Sequence, residues 1–373
     1  MTNPNGEEAP MTNDEATVRV NLGSRSYEIL IGASNLGQCG AFVAARCALT
    51  RAVVITDARV ETPHATNAAQ SLAAAGAEVD LLVVEEGEMS KSVAVAEMLW
   101  QKLLDLHADR KTVVVAVGGG VVGDLAGFVA ATYARGLSFF QVPTTLLAQV
   151  DSSVGGKTGV NLPGAKNMVG VIWQPQGVFV DVQTLKTQRE RDYRAGLAEV
   201  VKYGVILDAD FFALLEKEVA ALLGRRHRTL EAVVARCCEL KAHVVERDER
   251  EETGLRAVLN YGHTFAHALE AVTGYGELLH GEAVAIGMMC AARLAERLGR
   301  VDEAFVTRQR ALLLALGLPV VVPPLDHDEL IQPMAHDKKV EHGKLRFVLP
   351  TRLGHAELVS DVDVADVRAA LEG

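Results

Sequence analysis

The sequence predicts an α/β half built on a mostly parallel sheet, followed by an α-helical half. Three observations predict this. Short apolar runs alternate with alanine-rich helical stretches up to about residue 187, and strands separated by helices imply βαβ units. Beyond that point strand signals nearly vanish and long helical segments take over. The chain, at 373 residues, is also longer than one ordinary core and suits two domains.

Strand candidates are 17–20, 27–31, 52–56, 78–84, 112–117, 139–142 and 178–182, with helical stretches such as 65–75 and 93–106 between them. In the second half the helical periodicity covers 195–205, 211–223, 230–250, 262–273, 282–298 and 303–316, and one late β-like run lies at 344–349. The boundary is placed near residue 188, giving domains of 17–187 and 188–373. No low-complexity linker separates them, so two packed domains with a cleft between them are expected. The first 16 residues, MTNPNGEEAPMTNDEA, are polar and acidic, without the basic and apolar regions of a signal peptide. A disordered tail is expected there, and Met11 offers an alternative start.

Composition excludes several function classes. The formal net charge of −11 opposes general binding to nucleic acid or an anionic membrane surface. It leaves room for a small phosphorylated substrate, because local lysines and helix N-termini overrule net charge. The most apolar long stretch, 112–134, holds three consecutive glycines and Asp124, a pattern of a buried strand–turn–helix and not of a membrane span. The five cysteines form no C-x-x-C pair and read as reduced thiols of a cytoplasmic protein.

The run 112–117 enters Gly118-Gly119-Gly120-Val121-Val122-Gly123-Asp124, which satisfies G-x-G-x-x-G after a strand and before a helix. Such a turn lets backbone approach a pyrophosphate and aims helix N–H groups at the anion. The same glycines also serve tight strand–helix packing, and the motif alone leaves both readings open. Asp57, which ends the strand 52–56, can supply a ribose contact or cap the next helix. Two further loops, Gly87-Glu88-Met89-Ser90-Lys91 and Pro143-Thr144-Thr145, also follow strands and gather at the carboxyl edge of a parallel sheet, where ligands bind.

His263, His267 and His280 lie close together in the second half. The first two are four apart and share a helix face, a spacing that can bind zinc. Asn260, His263 and His267 interrupt an apolar run, and His280 opens the following helix, just before Glu282. Glu199 sits among Leu197, Val200 and Val201, with Lys202 at i+3 on nearly the same face. A carboxylate and an amine can therefore point into one cleft.

The motifs VGGGVVGDLAGFVAATYARG, VPTTLLAQVDSSVGGKTGVN, KNMVGVIWQP, GLAEVVKYG, DEREETGLRAVLNYGHTFAHALE and LLHGEAVAIGM resemble those of the 3-dehydroquinate synthase family. The resemblance implies a Rossmann-like N-terminal domain and an all-α C-terminal domain. It assigns a divalent metal, zinc or cobalt, to Glu199, His263 and His280, and moves His267 to the substrate pocket. NAD contacts fall on Asp57, on Glu86, Gly87, Glu88, Met89, Ser90 and Lys91, and on Gly120, Val121, Val122, Gly123 and Asp124. Thr144, Thr145, Thr184, Leu185, Lys186 and Thr187 complete that set, supported by Lys157 and Lys166.

Substrate contacts are implied for Asp151, Lys157, Lys166, Asn167, Lys202 and Lys241, and for Glu252, Arg256, Asn260, His267 and one of Lys338 or Lys339. Arg135 resembles an arginine that reaches a neighbouring subunit's site, which implies a homodimer. Three departures stand out: Ala165 before the Lys166-Asn167 pair, Gln188-Arg189 at the domain junction, and Ala266 between the histidines. None removes a chemical group from the site.

The expected reaction converts 3-deoxy-D-arabino-heptulosonate 7-phosphate, a phosphorylated sugar acid, into 3-dehydroquinate and phosphate. It runs by transient oxidation, phosphate elimination, re-reduction and intramolecular aldol closure. Other sugar phosphate cyclases share the metal and NAD parts, and metal-dependent polyol dehydrogenases share a GGG-x-x-x-D turn. Arg256, Asn260, His267 and Lys338 or Lys339 separate this sequence from the former, and the lysine set with GGKTGVN separates it from the latter.

Overall fold

The computed structural model describes residues 15–163, 165–274, 277–336 and 345–372. They group into two compact units: one runs to Thr144 and includes Gly156–Lys186, the other combines Thr145–Gly155 with Thr187 onward. Most of the expected tail thus lies outside the described residues.

The first unit contains β1 (Ala16–Val20), β2 (Tyr27–Gly32), β3 (Arg51–Asp57), β4 (Glu78–Val84), β5 (Val113–Gly118), β6 (Ser138–Pro143), β7 (Lys157–Leu162), β8 (Ala165–Ile172) and β9 (Gly177–Asp181). One sheet runs in the order β1-β2-β9-β6-β5-β3-β4. Its β1–β2 pair is antiparallel and all its other pairs are parallel. The central β5, VVVAVG, is buried along its whole length. That is the expected pattern for a parallel strand covered on both faces. From β3 the chain moves out to β4, then returns to the other side of β3 as β5 and continues to β6. The carboxyl ends of β3 and β5 therefore flank a topological switch point, the place where open α/β sheets bind ligands. Asp57 ends the first strand and the glycine turn follows the second. The antiparallel hairpin β7–β8 was not expected from sequence.

The second unit is built around the helix Glu190–Leu207, whose residues Ala195 through Ile206 are all buried. A helix covered all round is a core element, so its Glu199 and Lys202 need partners inside. The helix His280–Arg297 crosses it very closely, since a Cβ on Gly281 would lie 1.8 Å from the Ala195 carbonyl oxygen. The helix His263–Val272 packs on His280–Arg297 just as tightly, with a Cβ on Gly287 only 2.1 Å from the Gly262 carbonyl oxygen. These glycines set how near the two histidine-bearing helices come to Glu199.

Two features differ from the sequence reading. A hairpin, β10 (Arg346–Arg352) with β11 (His355–Ser360), joins the helices of the second unit, and its first strand takes in 346–349 of the expected run. Residues 145–155, expected with the first domain, belong to the second unit. Their docking is specific: Leu146 N donates to Gln188 Oε1 at 3.1 Å, Cys238 Sγ to the Gln149 carbonyl at 3.3 Å and Lys241 Nζ to the Asp151 carbonyl at 2.7 Å. Gln188, one of the three departures, thus anchors this segment.

Candidate active site

In the first unit, the helix Gly120–Thr132 starts from Gly119 with no side-chain cap. Its opening N–H groups, with the dipole behind them, suit an anion. Asp57 Oδ1 accepts from Arg59 N at 2.9 Å and Val60 N at 3.3 Å, so it shapes the turn after β3. The loop after β4 is held by Ser90 Oγ donating to the Glu85 carbonyl at 2.6 Å and by Arg59 Nε donating to Glu86 Oε2 at 2.7 Å. Gly87 supplies its left-handed turn at φ 97°, and Met89 at the tip is 89% exposed. Lys91 is buried and makes both an ion pair with Asp124 and a hydrogen bond to Asn167 Oδ1. The fold thus unites a residue expected at the substrate with two expected at NAD.

Asn161, missed by the sequence reading, organises this cluster. Its Oδ1 accepts from Asn167 N at 2.9 Å, its Nδ2 donates to Glu88 Oε1 at 2.7 Å, and its N–H donates to the Lys91 carbonyl at 2.8 Å. Thr144 is buried and its hydroxyl has no hydrogen-bond partner among the described residues, and Thr184 donates to the Asp181 carbonyl at 2.8 Å. Leu185 is buried, whereas Lys186 and Thr187 are exposed. Lys157 and Lys166 are not brought together by the hairpin: Lys157 opens β7 opposite Ile172, and Lys166 lies beside the β7–β8 turn. Arg135 is exposed, at φ 68° directly after Ala134 at φ 48°. Thr145, in the second unit, accepts from Ala148 N at 3.2 Å.

In the second unit the expected metal ligands converge. The donor atoms of Glu199, His263 and His280 lie within 4.8 Å of one another. Glu199 Oε1 is 3.5 Å from His263 Nε2 and 3.6 Å from His280 Nε2. A tetrahedral cation with bonds of about 2.0–2.2 Å separates its ligands by roughly 3.4 Å. Glu199 is fully buried, and neither oxygen has a hydrogen bond of good geometry, although Lys202 forms an ion pair with one of them. His263 Nδ1 bonds the Tyr261 carbonyl at 3.1 Å, which places the proton there and frees Nε2 as a ligand. These residues fit a divalent cation. His267 is exposed, with its ring centroid 5.6 Å from that of His263, and it stands outside the donor set.

Around the donors lies a buried charge network. Lys241 Nζ donates to Asp151 Oδ1 at 2.6 Å, as does the Tyr203 hydroxyl at 2.6 Å. Burial opposes ionisation of Asp151, but the Lys241 and Lys202 ammonium groups outweigh it and hold the carboxyl far below its ordinary range. Glu199 is likewise pushed up by burial and pulled down by Lys202, to about 2. Lys202 is raised, since Glu199 and Asp151 overcome its desolvation. Lys241 is lowered, because burial, with Arg256 adding repulsion, exceeds the pull of Asp151. Burial and Lys202 keep His263 neutral by driving its pKa well down.

Arg256 is buried, and a Cβ on Gly155 would sit 2.6 Å from its Nη2, so the guanidinium packs against the Asp151 segment. Asp248, also missed by the sequence reading, shapes the loop before it: Oδ1 accepts from Glu252 N at 2.8 Å and Thr253 N at 3.1 Å, and Oδ2 from Arg256 N at 3.1 Å. Glu252 is exposed and Asn260 half-buried. Lys338 and Lys339 lie outside the described residues. Lys202, Lys241 and Arg256 are buried cations close to Asp151 and Glu199, and groups of this kind suit an anionic ligand.

The family model described as 3-dehydroquinate synthase N-terminal matches residues 81–195, and the one described as 3-dehydroquinate synthase C-terminal matches 196–340. A 3-dehydroquinate synthase from Rhodopirellula baltica is 50% identical over 97% of this chain and 98% of its own length. One from Desulforamulus reducens is 49% identical over 95% of this chain and 99% of its own. Among solved structures, 2-deoxy-scyllo-inosose synthase complexed with carbaglucose-6-phosphate, NAD+ and Co2+ is similar at TM-score 0.87 and 29% identity, covering 96% of this chain and all (100%) of that one. A 2-epi-5-epi-valiolone synthase from Streptomyces hygroscopicus with NAD+ and Zn2+ bound is similar at TM-score 0.86 and 29% identity, covering 94% and 97%.

Proposed function

The chain belongs to the 3-dehydroquinate synthase family, and we infer that it converts 3-deoxy-D-arabino-heptulosonate 7-phosphate into 3-dehydroquinate and phosphate. This is the carbon–oxygen lyase step that closes the carbocycle in aromatic amino acid biosynthesis. The observation that carries the reading is the Glu199–His263–His280 set, with Glu199 and His263 buried, beside Lys202, Lys241 and Asp151.

When bound, NAD would supply a reversible two-electron oxidation of a substrate alcohol carbon, and a zinc or cobalt ion would supply a Lewis acid for its hydroxyl oxygen. Glu199, His263 and His280 would hold the cation. The uncapped helix start at Gly120, with Asp57 and the Lys91–Asp124 pair, would hold the dinucleotide. Lys241 and Arg256 bind the anionic ends of the substrate, Arg256 with its planar fork. Asp151 is kept ionised by its cationic neighbours, and with Lys202 and Tyr203 it forms a path along which a proton can be held or passed. His267, Asn260, Glu252, Lys157, Lys166 and Asn167 serve as further substrate contacts in this reading.

We further propose a homodimer in which Arg135 serves the neighbouring site, and a cytoplasmic location. The free cysteines support the latter, and among the described residues no helix is long and apolar enough to cross a membrane. No nucleic-acid partner is proposed, given the net charge of −11. The test is phosphate release from the heptulosonate phosphate. Chelation should abolish it, and zinc or cobalt should restore it. Full turnover by chelated protein, or turnover of a hexose 6-phosphate instead, would overturn the assignment.

A further inference from the structure

We propose that Glu270 is a positioning carboxylate of the metal centre, holding His280 through its Nδ1 and supplying negative charge that Lys202 withdraws from Glu199. The proposal rests on the metal reading above. Glu270 lies on the helix His263–Val272, seven residues after His263 and so on the same face. It is buried at 7% exposure, with Oε2 3.5 Å from His280 Nδ1. The other nitrogen of that ring, Nε2, is 3.6 Å from Glu199 Oε1. The imidazole is thus bracketed by two carboxylates, one at each nitrogen.

A neutral imidazole carries one proton. With that proton on Nδ1 toward Glu270, the Nε2 lone pair faces the donor set and the ring orientation is fixed. His263 is oriented differently, by the neutral Tyr261 carbonyl at 3.1 Å. That carbonyl belongs to a residue locked in place: the Tyr261 hydroxyl donates to Gln309 Oε1 at 2.9 Å, and Gln309 Nε2 donates to the Met288 carbonyl at 3.0 Å. One histidine therefore has a neutral, rigid partner and the other a charged one.

Charge explains why the second partner is an acid. Glu199 is the only acidic member of the donor set, and it is fully buried in ion-pair contact with the buried Lys202. The pair sums to zero charge, so a dication placed there meets an ammonium group as well as a carboxylate. Glu270 adds one negative charge behind His280, without occupying a coordination position. It strengthens the imidazole as a donor and offsets Lys202.

The experiment compares zinc affinity of the metal-free wild type, Glu270→Gln and Glu270→Asp, by competition with a chromophoric chelator. Cobalt absorption spectra and far-ultraviolet circular dichroism are recorded on the same samples. Glu270→Gln keeps the shape and removes the charge, and should bind zinc at least about tenfold more weakly, with an altered cobalt spectrum and an unchanged fold. Glu270→Asp should recover part of the loss, and it carries the test if the glutamine variant does not fold. Affinity within twofold of wild type and an unaltered cobalt spectrum in Glu270→Gln would overturn the proposal while leaving the metal reading intact. An aspartate variant as weak as the glutamine variant would overturn the charge argument. A wild type that binds no zinc would overturn both readings.

Discussion

The two units hold their functional groups in opposite ways. In the first, the groups proposed to bind sit on loops that follow parallel strands, and much of the proposed binding surface is backbone: the uncapped helix start at Gly120, the left-handed Gly87, the turn after Asp57. In the second, the groups are ionised side chains on helices, with Glu199 and Lys202 fully or nearly fully buried. A backbone cradle costs little to maintain when its ligand is absent. Buried charges cost several kcal/mol each unless paired. Substitutions in the second unit should therefore damage folding together with binding, while those in the first should damage binding more than folding.

The largest expected effect is at Glu199. Glu199→Leu removes a proposed metal ligand and leaves Lys202 buried beside an apolar side chain. Tight zinc binding should vanish, and denaturant unfolding of the metal-free protein should show a loss of about 3–5 kcal/mol. His267→Ala, on the exposed neighbour, should retain the metal. Equal stability of Glu199→Leu and wild type would remove the contrast between the units.

Asp151 sharpens the contrast through pH. Its carboxyl is held far below the ordinary range in the folded state, so its stabilisation is present above the unfolded value of about 3.9 and fades as pH falls toward the folded value. Asp151→Asn should cost about 1–3 kcal/mol at neutral pH, since it weakens charge-assisted bonds from Lys241 and Tyr203. The gap from wild type should narrow below about pH 4. A gap that widens in acid would show that Asp151 is not ionised by its neighbours.

The smallest effect is expected in the first unit. Asp124, whose side chain is 23% exposed in its ion pair with Lys91, is outside the Glu199–His263–His280 donor set. Asp124→Ala should weaken NAD binding about tenfold by calorimetry, the worth of one charge-assisted bond, leave zinc affinity nearly unchanged, and cost less stability than Glu199→Leu, because the buried Lys91 keeps its hydrogen bond to Asn167 Oδ1. Unchanged NAD affinity would remove Asp124 from the cofactor site.

The same division explains what was legible in the sequence. The parallel sheet was legible because runs such as VVVAV at β5 are long, β-branched and buried on both faces. The β7–β8 hairpin was hidden by its glycines, which are there because the strands approach closely: a Cβ on Gly170 would lie 2.3 Å from the Thr158 carbonyl oxygen. Glu199 was legible from its apolar neighbours and from Lys202 one turn on. The histidine spacing alone could not choose between His267 and His280, and only the resemblance chose. That choice depends on the crossing of two helices at Gly281, a contact remote in sequence. Glu270 was open to the same periodicity that paired His263 with His267, and was overlooked. Tyr203, Asp248 and Asn161 were not legible, since their roles are bonds that exist only once the chain has folded. Residues 145–155 read as part of the first domain because their partners, Gln188, Cys238 and Lys241, all come later.

The central claim is that one protein oxidises and re-reduces the same substrate while expelling phosphate. Its most direct test is a turnover experiment on zinc-loaded protein with NAD far below the substrate concentration, following phosphate and nicotinamide absorbance together. The account predicts phosphate release equal to the substrate supplied, with reduced nicotinamide never exceeding the enzyme concentration. Reduced nicotinamide accumulating in proportion to substrate, without phosphate release, would make the protein a dehydrogenase and contradict the account.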